Sequence, residues 1–304
     1  MTGTDRAARV IPRVAFVTCA RLPDLDPDDR LAIPELRRHG CAVVPAVWDD
    51  PAVDWAAFDL AVLRTPWDYP PRREEFVTWA FAVPQLVNPA PVVAWNTDKH
   101  YLEDLASAGV PVVPTTFVGT KARWDPPRSG EWVLKPAVGA GGRYAGRFRL
   151  DDPEHRRLAG EHVERVLSLG RQVMVQPYLA AVDRVGETGL VFLADGDELL
   201  FSHAIRKAPM LTAPVQGTET LSEQISAREA APAELAVARR ALDAIPGGPG
   251  ELLYARVDLI SGPDGEPLLI ELELAEPSLF LGYHPGAPEA FADAIAARVA
   301  SIIA

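Results

Sequence analysis

Three acidic side chains towards the end of the chain have the residue types and the spacing of a metal-binding site. Asp258 lies in the apolar run YARVDLI, and Glu271 and Glu273 lie two residues apart in the run LLIELEL. Because side chains alternate along a β-strand, Glu271 and Glu273 project from the same face. The link SGPDGEP is a hairpin signal, and a loop of two or four residues places Asp258 opposite Glu271 and Arg256 opposite Glu273. A three-residue loop with a bulge would shift this register by one residue.

Three carboxylates on one face of a sheet repel each other, so a bound cation is the simplest way to stabilise them. Oxygen-only ligands favour Mg²⁺ or Mn²⁺, with water or phosphate oxygens at the remaining positions. Arg256 would then provide a fixed positive charge beside a transferred phosphoryl group. The alternative is the solvent-exposed face of an amphipathic strand, because the run LIELEL alternates in that way as well.

Lysine is scarce in this chain, which draws attention to the few positions that keep it. Of the 30 basic residues 26 are arginines, and the lysines are Lys99, Lys121, Lys135 and Lys207. A compact ammonium and a planar guanidinium bind anions differently and are not interchangeable. We therefore interpret Lys99, Lys135 and Lys207 as candidates for positions that require lysine, and Lys121, in a polar loop, as a surface residue.

A glycine-rich segment, AVGAGGRYAG, directly follows the strand signal that carries Lys135. Its glycines are Gly139, Gly141, Gly142 and Gly146. A dinucleotide-binding fingerprint needs a third glycine where Tyr144 stands, and a P-loop needs lysine and then serine or threonine where Arg-Phe follows the last glycine. The segment therefore predicts a glycine loop whose backbone N–H groups close over phosphates while Lys135 holds their charge. A plain hairpin turn is the alternative.

The composition is that of an ordinary globular protein of 304 residues, with 48% hydrophobic and 24% charged residues. Its net charge of −12 argues against binding to nucleic acid, whose phosphates attract basic surfaces. Cys19 and Cys41 are the only cysteines, which excludes a disulfide framework and a four-cysteine zinc site. The start lacks the apolar core of a signal peptide, and no apolar run approaches about 18 residues. We therefore expect a cytoplasmic protein that binds neither nucleic acid nor a membrane.

The first third of the chain alternates strand and helix signals, which predicts a parallel sheet. The strands are predicted over residues 14–19, 42–48 and 60–64, and the helices over residues 28–39 and 73–82. Ligands of such sheets bind at the carboxyl ends of the strands. The loop of residues 19–24 and the segment RTPWDY, residues 64–69, are therefore candidates for a substrate-binding edge.

The remainder predicts two further lobes, each with strands and helices. Thr97 is predicted to cap a helix that runs through Lys99 to Gly109. Further strands are predicted over residues 131–136, 147–150, 173–179, 189–194, 199–207, 252–260 and 268–274. One long helix is predicted to end at about residue 169, and two more are predicted over residues 233–245 and 288–303. The strand 173–179 is interpreted as a crossing between lobes, and residues 212–228 give weak signals. The fold class is α+β, with an N-terminal α/β lobe (1–92), a central lobe (93–175) and a C-terminal lobe (176–304).

The order of these parts resembles the ATP-grasp superfamily over nearly the whole chain from Val14. The resemblance rests on Lys99 after the first lobe, the strand VLKP, the glycine loop, the crossing strand QPYL, Glu187 and the two acidic strands. It implies an ATP-grasp fold in which the central and C-terminal lobes enclose ATP and Mg²⁺.

The resemblance also implies a role for each matching residue. The phosphates of ATP would bind Lys99, Lys135 and a flap formed by Gly139, Gly141 and Gly142, the adenine would contact Pro177, Tyr178 and Leu179 with Gln176 nearby, and the ribose would contact Glu187. The Mg²⁺ ions would bind Asp258, Glu271 and Glu273. Arg256 and Lys135 would be the catalytic residues, with Arg256 stabilising the acyl phosphate. The third acidic position is more often asparagine in the superfamily. Glu273 is therefore a departure that adds negative charge.

Within the superfamily, five segments resemble the ligase group that closes the ring of D-cycloserine from O-ureido-D-serine. They are LRTPWDY, WNTDKHYL, VPVVPT, FSHAIRK and YARVDL followed by ELELAEPSLFL. The resemblance implies an ATP-dependent ligase that joins the carboxylate of a small amino-acid-like substrate to nitrogen through an acyl phosphate. Ring closure within one substrate, as in the formation of D-cycloserine, is one form that this reaction can take. The alternatives are a ligase that joins two amino acids, a kinase-like member that stops at a phosphorylated product, and an ATP-sensing module without catalysis. Such a module would be expected to lack some of the cations and acids that this chain keeps.

Two segments and one serine provide the candidates for contact with the substrate. They are Arg64, Trp67, Asp68, Tyr69, His203, Arg206, Lys207 and Ser278. For residues 64–69, a capped strand end with aromatic packing is the alternative. The three candidates in FSHAIRK occupy alternating or adjacent strand positions and cannot all face one cleft, and a structural role is the alternative for His203. The predicted partners are a small carboxylate and a nitrogen nucleophile, and the assembly is left open between a monomer and a homodimer.

Overall fold

The computed structural model describes residues 11–211 and 223–303, and these residues form three β-sheets. Of the weak-signal segment 212–228, residues 212–222 lie outside the described ranges and residues 225–228 form a strand. Within the described ranges, no helix combines the length and the apolar character that a membrane span requires.

The N-terminal lobe is built on a parallel sheet, as the alternation of strand and helix signals predicts. Its strands are β1 (Arg13–Thr18), β2 (Ala42–Val47), β3 (Leu60–Thr65) and β4 (Leu86–Val87), in the order β2-β1-β3-β4, and its helices are α1 (Ile33–Arg38), α2 (Arg73–Ala82) and α3 (Ala90–Asn96). The predicted helix 28–39 is split, because a 3-10 turn precedes α1. Pro34 lies in the first turn of α1, where a missing N–H costs no helical hydrogen bond.

The central lobe contains an antiparallel sheet covered by one long helix. Its strands are β5 (Thr116–Val118), β6 (Glu131–Pro136), β7 (Gly146–Arg149) and β8 (Val173–Pro177), in the order β5-β8-β6-β7, and its helices are α4 (Tyr101–Ser107) and α5 (Pro153–Ser168). Asp152 caps α5 by accepting hydrogen bonds from the N–H groups of Glu154 and His155. Because β8 pairs with β5 and β6, it belongs to this sheet, and the predicted boundary at residue 176 falls inside it.

The C-terminal lobe contains the largest sheet, which is antiparallel. Its strands are β9 (Glu187–Asp195), β10 (Glu198–Lys207), β11 (Ile225–Arg228), β12 (Tyr254–Ser261) and β13 (Pro267–Glu273), in the order β11-β10-β9-β12-β13, and its helices are α6 (Val182–Val185), α7 (Pro232–Asp243) and α8 (Ala287–Ile303). Helix α7 packs on one face of this sheet. Helix α8 packs between the other face and the N-terminal sheet, where Phe291 joins Phe16 and Tyr254 in one core. The first and third lobes therefore share a hydrophobic core.

The predicted start of the helix at Thr97 is wrong. Thr97 is the C-cap of α3, its hydroxyl donates a hydrogen bond back into that helix, and α4 begins only at Tyr101. Lys99 therefore lies in the turn between two helices. Its backbone N–H donates to the carbonyl of Ala137 in the central lobe, so this turn is anchored next to the glycine-rich segment.

Candidate active site

The three lobes enclose a cavity of about 1040 Å³ to which every lobe contributes side chains. Sites for small molecules are commonly about 300–1,000 Å³, so this cavity has room for a nucleotide and a second small ligand. The N-terminal lobe contributes the loops around residues 21–31 and 67–69, the central lobe contributes the glycine-rich loop, and the C-terminal lobe contributes the acidic strands. The predicted substrate-binding edge of the first sheet thus lies opposite the predicted nucleotide-binding elements.

The β12–β13 hairpin has the register that the sequence predicts, but it reaches that register by a different route. Asp258 pairs with Glu271 and Arg256 pairs with Glu273. The loop spans residues 262–266, and one bulge interrupts the ladder between the loop and these pairs. An odd loop and one bulge together restore the pairing that an even loop would give.

Asp258 lies at the centre of a buried network of charges. Its Oδ2 accepts hydrogen bonds from Lys207 Nζ at 2.6 Å and from Arg256 Nη2 at 2.9 Å, and its Oδ1 accepts one from Arg256 Nε at 2.9 Å. Arg256 also binds Glu273 and donates to the carbonyl of Ser278 at 2.9 Å. Burial raises the pKa of Asp258, but Arg256 and Lys207 more than offset burial and lower it overall. Asp258 is therefore a charged anchor that fixes two cations at the cavity wall.

Glu271 connects the C-terminal sheet to the two other predicted lysines. Its carboxylate oxygens lie 2.9 Å from Lys99 Nζ and 3.6 Å from Lys135 Nζ. Burial raises the pKa of Glu271, but the two lysines outweigh burial and hold the pKa below its usual range. The structure thus brings Lys99, Lys135 and Lys207 together with the acids of β12 and β13 on one wall of the cavity.

The segment WNTDKHYL holds the outer edge of β13, the strand that carries two of the three acids. Asn96 Nδ2 donates to the carbonyl of Leu272 at 2.8 Å, and Asn96 Oδ1 accepts from the N–H of Leu274 at 2.7 Å. The Tyr101 hydroxyl accepts from the N–H of Leu272 at 3.0 Å. These side chains take the place of a neighbouring strand at the sheet edge. They also fix the distance between the acids and Lys99, which belongs to the same segment.

The fit of a divalent cation depends on which carboxylates face the cavity. In the described ranges, no group of three or more His, Cys, Asp or Glu side chains is already arranged around a metal position. All three acids line the cavity and are ion-paired, but the Asp258 side chain is only 3% exposed, whereas those of Glu271 and Glu273 are 24% and 26% exposed. Burial raises the pKa of Glu273 to about 8; Arg256 opposes this, and Asp258 and Glu271 add to it. A further positive charge would relieve this repulsion, so the oxygen-only set fits a hard divalent cation bound mainly by Glu271 and Glu273.

The glycine-rich segment forms a loop over residues 137–145, which is far longer than a hairpin turn requires. Gly141 and Gly142 adopt φ values of +64° and +65°, which favour glycine, and Tyr144 adopts φ +58°. Lys99 Nζ donates to the carbonyl of Gly139 at 3.0 Å. The three predicted flap glycines therefore line the cavity next to a predicted phosphate-binding lysine.

Trp67 is the residue at which this loop meets the other two lobes. Arg143 Nη2, on the loop, donates to the carbonyl of Trp67 at 2.8 Å, and Arg21 Nη2 approaches the same oxygen at 3.4 Å. The Trp67 indole Nε1 donates to the backbone carbonyl of Glu276 at 3.0 Å. The loop is thus fastened to the N-terminal lobe, and that lobe is fastened to the segment after β13.

The residues predicted to surround adenine and ribose also line the cavity. They are Gln176, Pro177, Tyr178, Leu179 and Glu187. The N–H of Tyr178 donates to the carbonyl of Glu131 at 2.8 Å, and the Tyr178 ring lies 3.5 Å below the Arg147 guanidinium. Among the described residues, no group accepts a hydrogen bond from the N–H of Leu179. This donor is therefore suited to a ligand that carries a ring nitrogen.

Two polar residues of RTPWDY face the protein interior. The prediction that Arg64 contacts the substrate is wrong, because its side chain is fully buried and donates to Asp29 Oδ1 and to the carbonyl of Pro277, each at 2.8 Å. Asp68 accepts from Trp48 Nε1 at 2.9 Å and does not line the cavity. Both residues hold the loop in place, and Trp67 and Tyr69 of the same segment reach the cavity.

Alternation along β10 separates Arg206 from His203 and Lys207, and of the latter two only Lys207 lines the cavity. His203 is buried with Nε2 3.0 Å from the carbonyl of Leu279, and Arg206 Nε donates to the carbonyl of Val185 at 2.6 Å, so neither lines the cavity and both predicted substrate contacts are wrong. Lys207 and Ser278 do line it. Lys207 contacts Asp258 and therefore belongs with the phosphate-binding candidates.

Glu276 and Arg143 line the cavity, although no motif singled them out. Glu276 follows the acidic strand by three residues, and this position directly after the strand was the available signal. Burial raises the pKa of Glu276 to about 7, and the Tyr69 hydroxyl opposes this shift. Arg143 lies among the glycines. The glycine pattern predicts backbone contacts to phosphate and gives no signal for a side chain that fastens the loop.

Gly186 is required where β9 begins, next to the cation Lys207. Its φ is +73°, and a Cβ there would overlap the carbonyl oxygen of Lys207. We expect Gly186→Ala to lower the free energy of unfolding by about 2–5 kcal/mol, because left-handed strain adds to a collision with backbone. Gly196→Ala is the matched control, since Gly196 has φ +60° and open space around it, and it should cost only about 1–2 kcal/mol. Urea denaturation of both variants measures the difference, and equal losses would contradict the predicted collision.

Comparison with solved structures defines the fold. The ATP-grasp ligase PsnB, solved with a minimal precursor, superposes with a TM-score of 0.61 at 19% identity, covering 95% of this chain and 100% of that chain. A further structure of PsnB contains Mg and ADP. This likeness shows the ATP-grasp fold, as the sequence resemblance implies.

A narrower family follows from three further matches. The model of the N-terminal domain of D-cycloserine synthetase DcsG matches residues 14–89. The cycloserine biosynthesis protein DcsG of Streptomyces lavendulae is 36% identical, with 94% of this chain and 98% of the relative covered. The crystal structure of D-cycloserine synthetase DcsG has a TM-score of 0.82 at 36% identity, covering 94% of this chain and 99% of that chain. The chain therefore belongs to the DcsG family of ATP-grasp proteins.

Proposed function

We propose that the protein is an ATP-dependent ligase that joins a carboxylate to nitrogen through an acyl phosphate. The observation that carries the proposal is the wall on which Lys99 and Lys135 converge on Glu271, directly beside the glycine loop. Fixed cations next to free backbone N–H groups are suited to a triphosphate. Membership of the DcsG family supports the same activity.

ATP is proposed to lie along the cavity from residues 176–179 to this wall. The N–H of Leu179 would bind adenine, with Gln176 beside it, and Glu187 would bind the ribose hydroxyls. The glycine loop and the three lysines would bind the phosphates. Glu271 and Glu273, backed by Asp258, would hold Mg²⁺, which when bound would neutralise charge on the phosphate oxygens.

The reaction then needs positioning more than covalent help from the protein. The γ-phosphate of ATP passes to an oxygen of the substrate carboxylate, which gives ADP and an acyl phosphate. A substrate nitrogen attacks the acyl carbon, the carbon–nitrogen bond forms and phosphate leaves. Arg256, fixed by Asp258, provides a positive charge for the acyl phosphate. The loop held by Arg143 covers the cavity and limits hydrolysis of that intermediate.

Ring closure within one substrate is the form of the reaction that the DcsG relatives support. We expect Mg·ATP and O-ureido-D-serine alone to release ADP and phosphate, because the nitrogen and the carboxylate belong to one molecule. A coupled assay for ADP and phosphate measures this, with the Lys135→Met variant as a control of reduced activity.

A ligase that joins two amino acids is the second candidate, because a cavity of about 1040 Å³ has room for a separate acceptor. Such an enzyme would release ADP only after an acceptor amino acid is added. Strict dependence on a pair of substrates would therefore overturn ring closure. ATP binding without turnover across single and paired amino acids would support a sensing module instead.

A further inference from the structure

Glu276 differs from the three acids that precede it, because its charge has no ion-pair partner in the described part of the chain. Asp258, Glu271 and Glu273 each form ion pairs with lysine or arginine. Among the described residues, Glu276 therefore presents to the cavity a half-buried carboxylate that has no direct ion-pair partner.

The surroundings of Glu276 belong to the substrate side of the cavity. The Trp67 indole holds its backbone carbonyl at 3.0 Å, and the Tyr69 hydroxyl interacts with its carboxylate. Arg143 of the glycine loop is bonded to the same Trp67, so a ligand at Glu276 lies under the loop. A carboxylate beside aromatic side chains in a covered cavity is suited to an ammonium group.

The position also matches the geometry of an α-amino acid. Such a molecule carries its ammonium on the carbon next to the carboxylate, so the two charges must be bound by adjacent groups. Lys99 and Arg256, which we assign to the phosphates and the acyl phosphate, line the same cavity as Glu276, and both lower the pKa of its carboxyl. A substrate whose carboxylate faces those cations therefore places its ammonium within reach of Glu276.

We infer that Glu276 binds the protonated α-amino group of an amino-acid substrate, between Trp67 and Tyr69. The inference rests on the proposed function, because it requires the reacting carboxylate of the substrate to lie beside Lys99 and Arg256. It adds the residue that binds and selects the free amino group of such a substrate.

Calorimetric titration with two matched ligands, in the presence of ADP and Mg²⁺, tests this inference. One ligand is O-ureido-D-serine, and the other is its analogue with hydroxyl in place of the amino group. Wild type should prefer the amine by about 10- to 100-fold, the value of a charge-assisted hydrogen bond to a buried carboxylate. Glu276→Gln should lose most of this preference, and Glu276→Asp should keep part of it. Glu289→Gln, an exposed acid on α8, is the control and should bind like wild type.

The same titrations separate the outcomes. A full preference for the amine in Glu276→Gln would overturn the inference, as would the absence of any preference in wild type. Weaker binding of ADP or Mg²⁺ with an unchanged preference would make Glu276 part of the nucleotide site and would also overturn it. D-serine and D-glycerate provide the same comparison without a ureido group. The two proposals can fail separately. If the preference for the amine depends on Glu276 but Mg·ATP and O-ureido-D-serine give no ADP, the inference is supported and ring closure is wrong.

Discussion

Replacing Glu271 by alanine is expected to lower ATP turnover by about 10²–10³-fold at ordinary Mg²⁺ concentrations. The Glu271 carboxylate binds Lys99 and Lys135 and is the main proposed ligand of Mg²⁺. Its loss leaves two ammonium groups without their shared anion and the metal short of one ligand. Raising the Mg²⁺ concentration should restore part of the rate, because mass action compensates for weaker binding. The measurement is ADP release from Mg·ATP and O-ureido-D-serine over a Mg²⁺ titration.

Glu273→Asn is the graded comparison for this experiment. An amide oxygen can still bind the metal, so the loss of turnover should be smaller than for Glu271→Ala. If turnover and its Mg²⁺ dependence are unchanged in both folded variants, the assignment of these acids is wrong. A loss in Glu271→Ala that Mg²⁺ does not reverse would restrict Glu271 to holding the two lysines.

Lys99→Met and Lys135→Met should each raise the dissociation constant of ATP by about 10- to 100-fold, because each removes a charge-assisted contact to phosphate. Lys99 also donates to Gly139, so its loss should loosen the loop as well. Methionine keeps most of the length of the side chain and removes the ammonium group, with its charge and its hydrogen-bond donors. Calorimetric titration of ATP measures the effect.

Lys121→Met is the matched control, because Lys121 is exposed and lies outside the cavity. It should bind ATP like wild type. Unchanged ATP affinity in Lys99→Met or Lys135→Met would remove that residue from the site.

The β12–β13 hairpin shows which features a local sequence pattern can predict. The alternation of LLIELEL places two acids on one face of the strand, whatever the length of the hairpin loop. The partner of Glu271 depends on a loop over residues 262–266 and on a bulge further along the strand, and no local rule specifies the two together. The predicted pairing is correct because two departures from the assumed loop cancel.

The errors in the sequence-based prediction come from contacts between distant segments. Thr97 has the residue type of an N-cap, but it ends α3, and the last residue of that helix, Asn96, is bonded to the edge of β13, far along the sequence. Arg64 resembles a substrate contact, but its partner Asp29 lies on another element of the same lobe. Propensity and spacing describe neighbours in the chain, whereas these roles are set by neighbours in space.

The central claim, an acyl phosphate formed from the substrate carboxylate, is tested most directly by isotope transfer. O-ureido-D-serine labelled with ¹⁸O in both carboxylate oxygens is turned over with unlabelled Mg·ATP, and the released phosphate is analysed by mass spectrometry. The proposed reaction breaks the bond between the acyl carbon and the phosphate-bearing oxygen, so each phosphate should carry one ¹⁸O atom. Product formation with unlabelled phosphate would contradict the acyl phosphate and the roles assigned around it.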